Sequence, residues 1–164
     1  MTPTRRDFLA TLAAGVVGTR IGWGENPPPR QKLAIVTTEW RYHSHAWHMG
    51  ERFLVGYPRF GRWHHPPFEV VSAYVDQFAD NDLSRDRAKE FGFTIHPTIA
   101  QALRAGGDKL AVDGVLLIGE HGNYPDNEFG QRQYPRYPFF EQIVQVCDQD
   151  GRVVPVFNDK HLSW

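Results

Sequence analysis

Cysteine is almost missing from this chain: Cys147 stands alone in 164 residues. An intrachain disulfide is therefore impossible, and a small fold stapled by disulfides is excluded. Charge of one sign is missing too, since 18 Lys and Arg against 19 Asp and Glu leave a formal net charge of −1. The basic residues are scattered, so the electrostatic footprint of a nucleic-acid binder is absent. No apolar run is long enough to cross about 30 Å of hydrocarbon as a helix, which excludes a stable membrane anchor. Internal repeats and low-complexity segments are lacking as well, leaving one ordinary domain as the organisation to explain.

What is present begins at the N-terminus. Thr4-Arg5-Arg6-Asp7-Phe8-Leu9 opens onto a small apolar run from Ala10 to Gly18. Paired arginines, then Phe-Leu, then a short run of Ala, Gly and Val read as a twin-arginine export signal, an address rather than an anchor. The export machinery is thus an expected partner, and the protein is expected to work in the periplasm or outside the cell. No clear small-x-small cleavage site precedes Pro27-Pro28-Pro29, so the cut point stays open. Residues 1–30 divide off as signal and Pro-rich linker, and residues 31–164 remain as one domain.

Along that domain, strands and helices alternate. Lys32–Val36 suits a buried strand, and Ser44–Leu54 can form a helix. Phe68–Asp76 is a second, β-branched strand that ends in an acid. Ser84 is the expected N-cap of a helix through Phe91, with Gly92 as C-cap. Thr94–His96 is a short strand, and Thr98 caps a helix over Ile99–Arg104. Val112–Gly119 is the most apolar strand, and a Pro/Tyr-rich loop follows from Glu120 to Pro138. A helix then carries Phe140, Ile143, Val144 and Cys147 on one stripe, with Cys147 read as a buried small hydrophobe. A last strand spans Val153–Phe157. This order predicts an α/β fold, a Rossmann-type doubly wound parallel sheet, truncated after the fifth strand. Either the chain is a fragment or a partner, in one case a second copy of itself, supplies the rest.

Four local features carry a family resemblance. They are Asp76 at the end of the second strand, the helix Ser84–Gly92 with Ala88 and Gly92 at a familiar spacing, Asp113–Ile118, and Gly151–Leu162 with Asp159, Lys160 and Leu162. In order, these resemble the N-terminal domain of the glucose–fructose oxidoreductase / inositol dehydrogenase (Gfo/Idh/MocA) family. His161 stands where that family's Glu-Lys-Pro-Leu motif has proline. The resemblance implies NAD or NADP as cofactor and a sugar or polyol as substrate. It implies Lys160 in proton transfer, Asp76 on the adenosine ribose, and Gly119, Glu120, His121 and Asp159 beside the nicotinamide cleft. Lys160 can equally be a surface lysine beside Asp159, and His121 either a ligand contact or a turn residue. Tyr124, Tyr134 and Tyr137 can form a stacking wall for a sugar, or only a rigid exposed loop.

The resemblance breaks at the phosphate loop. Thr37-Thr38-Glu39-Trp40-Arg41-Tyr42 replaces G-x-G-x-x-G, whose glycines serve a tight turn, close approach to pyrophosphate and close helix packing. Here Thr37, Arg41 and the cap Ser44 would have to meet the anion at a helix N-terminus. Next to this loop lies a histidine cluster, His43, His45 and His48 with His64 and His65. His45, His48 and His64 are candidate zinc or copper ligands, but the spacing is not diagnostic; ligand contact and aromatic packing remain the alternatives. Three function classes follow: an exported NAD(P)-dependent oxidoreductase, a catalytically silent Rossmann module binding carbohydrate or a partner, and a metal-dependent hydrolase.

Overall fold

The computed structural model describes residues 29–163; the twin-arginine segment lies outside the described residues. Two-residue periodicity and β-branching build the sheet. Its strands are β1 (Gln31–Thr37), β4 (Phe68–Val75), β5 (Thr94–His96), β6 (Gly114–Ile118) and β7 (Val156–Asn158). The five strands run in the order β5-β4-β1-β6-β7, every neighbouring pair parallel. This is the doubly wound order of a Rossmann-type sheet. The helices are α1 (His45–Leu54), α2 (Ser84–Phe91), α3 (Ile99–Leu103) and α4 (Arg136–Asp150).

Alternation along the strands sends side chains to two cores. Leu33 and Ile35 of β1 with Leu116 and Ile118 of β6 face the α1 and α2 side, joined by Trp40, Ala46 and Phe93. Ala34 and Val36 with Val115 and Leu117 face the α3 and α4 side, against Leu103, Phe139 and Ile143. Burying each such aliphatic side chain contributes about 1.5–3 kcal/mol, which is why the fully apolar β6 sits in the interior of the sheet. Cys147 is buried in the second core, as expected.

Several local details differ from the sequence expectation. Between α1 and β4, where no strand was expected, the chain forms an antiparallel hairpin of β2 (Tyr57–Arg59) and β3 (Arg62–His64), turned through Gly61 at φ 74°. Ser84 is the first residue of α2 rather than its cap; the Asp82 carboxylate accepts from the Ser84 backbone N–H at 3.2 Å and from its hydroxyl at 2.8 Å. On α4 the inward stripe is Phe139, Ile143, Val146 and Cys147, while Val144 faces solvent. The last strand begins at Val156, because Pro155 has no N–H to extend the ladder.

Candidate functional site

The sheet order reverses between β1 and β6, since β1 leads through α1 to β4 on one side while β6 lies on the other. In open α/β sheets that reversal leaves a crevice over the carboxyl ends of the strands. Four chain segments meet there. Thr37 ends β1 and Thr38 and Glu39 follow it, Gly119, Glu120 and His121 follow β6, Asp159 follows β7, and His45 begins α1.

The loop after β1 is a packed piece of core. Trp40 is 1% exposed, stacks on Phe93 at 5.8 Å, and lies over Gly50 of α1 so closely that a Cβ there would be 2.9 Å from its ring. Glycine at position 50 thus lets the helix approach the indole. The Trp40 carbonyl accepts from Leu83 N–H at 2.8 Å, and Arg41 bridges Asp82, which ties this loop to the one before α2. Ser44 caps α1, its hydroxyl oxygen accepting from the N–H of Trp47 at 3.2 Å and of Arg41 at 3.1 Å. The Thr37 hydroxyl donates to the Ile118 carbonyl at 3.1 Å, and the Thr38 hydroxyl donates to that of Glu120.

Over β6 the backbone is held by a buried arginine. Arg136 is 6% exposed and donates to the Gly119 carbonyl at 3.1 Å, the Glu120 carboxylate at 2.8 Å and the Ser163 carbonyl. Gly119 makes room for it, since a Cβ at that position would meet Arg136 Cγ at 2.6 Å. His121 follows in left-handed backbone, φ 69°, an unusual state for a residue with a Cβ. Its Nε2 is buried without a hydrogen-bond partner. Burial first, then the positive charge of Arg41 and the neighbouring His45, hold His121 below the ordinary imidazole range, so it is neutral at physiological pH.

His45 and Asp159 are brought together across 114 residues of sequence, Nδ1 to Oδ2 at 2.6 Å. The His45 and His121 rings meet edge to face at 5.1 Å. Beside them is an open hollow of about 490 Å³ lined by Glu39, Arg41, His121, Asn123, Arg132 and Tyr134. Glu39 and Arg41 pair with each other at 3.0 Å.

Asp76 lies at the end of β4, as expected, but both of its oxygens are engaged. Tyr74 donates its hydroxyl to Oδ1 at 2.6 Å and Tyr124 donates its hydroxyl to Oδ2 at 2.6 Å. Gln77 fastens the same loop, accepting from Asn123 N–H at 2.9 Å and donating to its carbonyl at 3.3 Å. Burial and the bonded carboxylate push the Tyr74 and Tyr124 phenols far above their ordinary range. A dinucleotide held in the usual way does not fit this arrangement. The loop has a core tryptophan in place of glycine, Glu39 brings negative charge toward a diphosphate, and the acid expected on the ribose is bonded to the protein's own tyrosines.

Of the other candidates, Lys160 is exposed in the segment after β7, and its ammonium makes no hydrogen bond or ion pair among the described residues. His48 packs edge to face on Trp47 and His43, and His64 sits in the hairpin against Tyr57. His45, His48 and His64 therefore do not converge, and among the described residues no group of three His, Cys, Asp or Glu could hold a metal ion. Tyr134 lines the hollow, Tyr124 is turned onto Asp76, and Tyr137 is exposed on α4. Sequence reasoning singled out His45 and Asp159 separately and missed their pairing, and it missed Arg136 altogether. A buried arginine in the first turn of a helix carries no local signal of what it holds.

No protein-family model matches the chain, and no curated protein matches it. A solved structure, biliverdin reductase in complex with biliverdin and NADP+ from Synechocystis sp. PCC 6803, is similar at 12% identity and a TM-score of 0.35. The match covers 77% of this chain and 37% of that one, so the chain spans little more than a third of the reductase's length. So distant a likeness says nothing of the chemistry in the crevice.

Proposed function

We propose that this chain is a Rossmann-type, oxidoreductase-like module that is exported by the twin-arginine route and takes a sugar or polyol in the hollow over β1 and β6. The observation that supports it is the meeting, at the point where strand order reverses, of a carboxylate–guanidinium pair, an imidazole, an amide and a tyrosine ring. Vicinal hydroxyls are recognised by such paired donors and acceptors, and an aromatic face covers the C–H side of a sugar ring. The test is calorimetric titration of the full chain with pentoses, hexoses and hexitols. Saturable binding weakened at least about tenfold, roughly 1.4 kcal/mol, by Asn123→Ala supports the reading. Heat of dilution alone across the panel removes it. For export, a folded reporter fused to residues 1–30 reaches the periplasm, and changing Arg5 and Arg6 to Lys keeps it in the cytoplasm.

A second reading is the NAD(P)-dependent sugar or polyol dehydrogenase of the family resemblance, with Lys160 and His121 at its cleft. The doubly wound strand order and the acid at the end of β4 favour it. It requires the Tyr124 hydroxyl to leave Asp76. Titration with NAD(H) and NADP(H) decides it: binding tightened by Tyr124→Phe supports a cofactor site behind that loop, and failure of both cofactors to bind either form removes the reading.

A further inference from the structure

We propose that His45 is a proton-transfer residue positioned by Asp159, and that with His121 it serves cofactor-free enolisation of an α-hydroxy carbonyl sugar. The inference rests on the reading that the hollow takes a sugar.

The bond between His45 and Asp159 settles where the ring hydrogen lies. A carboxylate only accepts, so at 2.6 Å the hydrogen is on Nδ1, and in the neutral ring it is Nε2 that has the lone pair. The Asp159 side chain is 12% exposed and that of His45 33% exposed. The less exposed group thus orients a ring that solvent can reach, beside the hollow, the usual relation between a base and its orienting partner. The two residues come from opposite flanks of the strand reversal, α1 on one side and the end of β7 on the other. Holding α1 onto β7 is not needed to close the sheet, because β1 and β6 already pair from Leu33–Gly114 to Thr37–Ile118.

His121 supplies the complementary group. It is neutral, its ring lies 5.1 Å from His45, and it lines the hollow. A buried imidazole nitrogen without a protein partner is what a ligand oxygen would satisfy. Its left-handed backbone is imposed from both sides of the loop, with Arg136 and Thr38 holding the two residues before it and Gly122 following at φ 104°. Backbone strain of that kind collects where a side chain must point in one direction.

In the step, His45 Nε2 takes the proton from the carbon that bears the hydroxyl beside the carbonyl. The C–H electron pair becomes the C=C bond of an enediol, and the carbonyl π pair moves onto oxygen, which takes its hydrogen bond from His121. Return of the proton from His45 to the same carbon restores the starting sugar; return to the former carbonyl carbon gives the isomeric hydroxy carbonyl, the hydroxyl proton passing to the neighbouring enolate oxygen, so no oxidant or reductant enters. In D₂O the returned proton is deuterium.

The test is proton NMR of the full chain in D₂O with dihydroxyacetone and D-fructose as probes, following the signals of carbon-bound protons beside the carbonyl. Their loss is expected to run at least about 100-fold above the buffer rate. His45→Gln brings it down to the buffer rate, and His48→Gln, on the outer side of the same helix, leaves it unchanged. Asp159→Ala lowers the rate and shifts the His45 ring, read by ¹⁵N NMR, from the Nδ1–H toward the Nε2–H tautomer, which a merely structural Asp159 would not do. Should that variant fail to fold, Asp159→Asn, which can still accept from Nδ1, retains the tautomer and part of the rate. Exchange at the buffer rate while calorimetry records sugar binding overturns this inference and leaves the binding reading standing. Neither exchange nor binding removes both, and an Nε2–H tautomer in the unaltered protein overturns the positioning role by itself.

Discussion

Tyr124→Phe removes one oxygen and tests the feature that most separates this crevice from a nucleotide site. The lost contact is a 2.6 Å hydrogen bond to a carboxylate that keeps a second one, from Tyr74. Hydrogen bonds to charged groups contribute about 1.5–3 kcal/mol. Asp76 is only half-buried, so water can replace part of the bond, and the expected destabilisation is about 1–2 kcal/mol. For a domain of this size that is a fall in Tm of roughly 3–8 °C. A second consequence appears at high pH. Both phenols keep their protons in the fold well above pH 10, whereas in the unfolded chain they ionise near 10. Their contribution is therefore fully present below about pH 10 and is lost as pH rises beyond it, with a limiting slope of about 1.4 kcal/mol per pH unit for each tyrosine. The variant has one such tyrosine instead of two, so the alkaline slope falls by that amount. The assay is urea unfolding followed by tryptophan fluorescence between pH 7 and 11. Unchanged stability at pH 7 together with an unchanged alkaline slope would refute the placement of Tyr124 on Asp76.

Three further outcomes follow from the same geometry. Gly119→Ala drives a Cβ to 2.6 Å from Arg136 Cγ, and overpacking of that kind costs about 1–3 kcal/mol; denaturant midpoints measure it. Asp150→Asn flattens the acid limb of stability: Arg104 first, and the Leu110 N–H beside it, hold the Asp150 carboxyl below its usual range. The contribution is present above about pH 4 and disappears as pH falls through the folded value, which pH-dependent unfolding detects. His121 titrates below the ordinary imidazole range in an NMR pH series, and its burial makes stability rise with pH between that midpoint and about 6.5. A midpoint at or above the ordinary value would contradict its placement.

Most of the fold was legible from local pattern. Alternating apolar runs marked the sheet strands within a few residues, Thr98 and Ser44 marked two helix starts, and Gly92 in left-handed backbone marked the end of α2. The hairpin at Tyr57–His64 was not legible, because Pro58, Arg59 and Arg62 have no apolar alternation and the pair is held by its turn. The site was legible only as a list of residues. His45, Asp159, Asp76 and His121 each stood out by type and position, but Tyr124 lies 48 residues from Asp76 and Asp159 lies 114 from His45, beyond any periodicity.

The sequence by itself determined the elements of the main sheet and its helices, their βα alternation and so the doubly wound sheet, because propensity, capping and apolar period act within a few neighbouring residues. It also determined that no glycine loop awaits a diphosphate. Only the tertiary structure decided what replaced that loop. Trp40 went into the core over Gly50, Tyr124 closed on Asp76, and Asp159 reached His45. Those are contacts between distant segments, and their selection depends on how the packed sheet places strand ends beside one another.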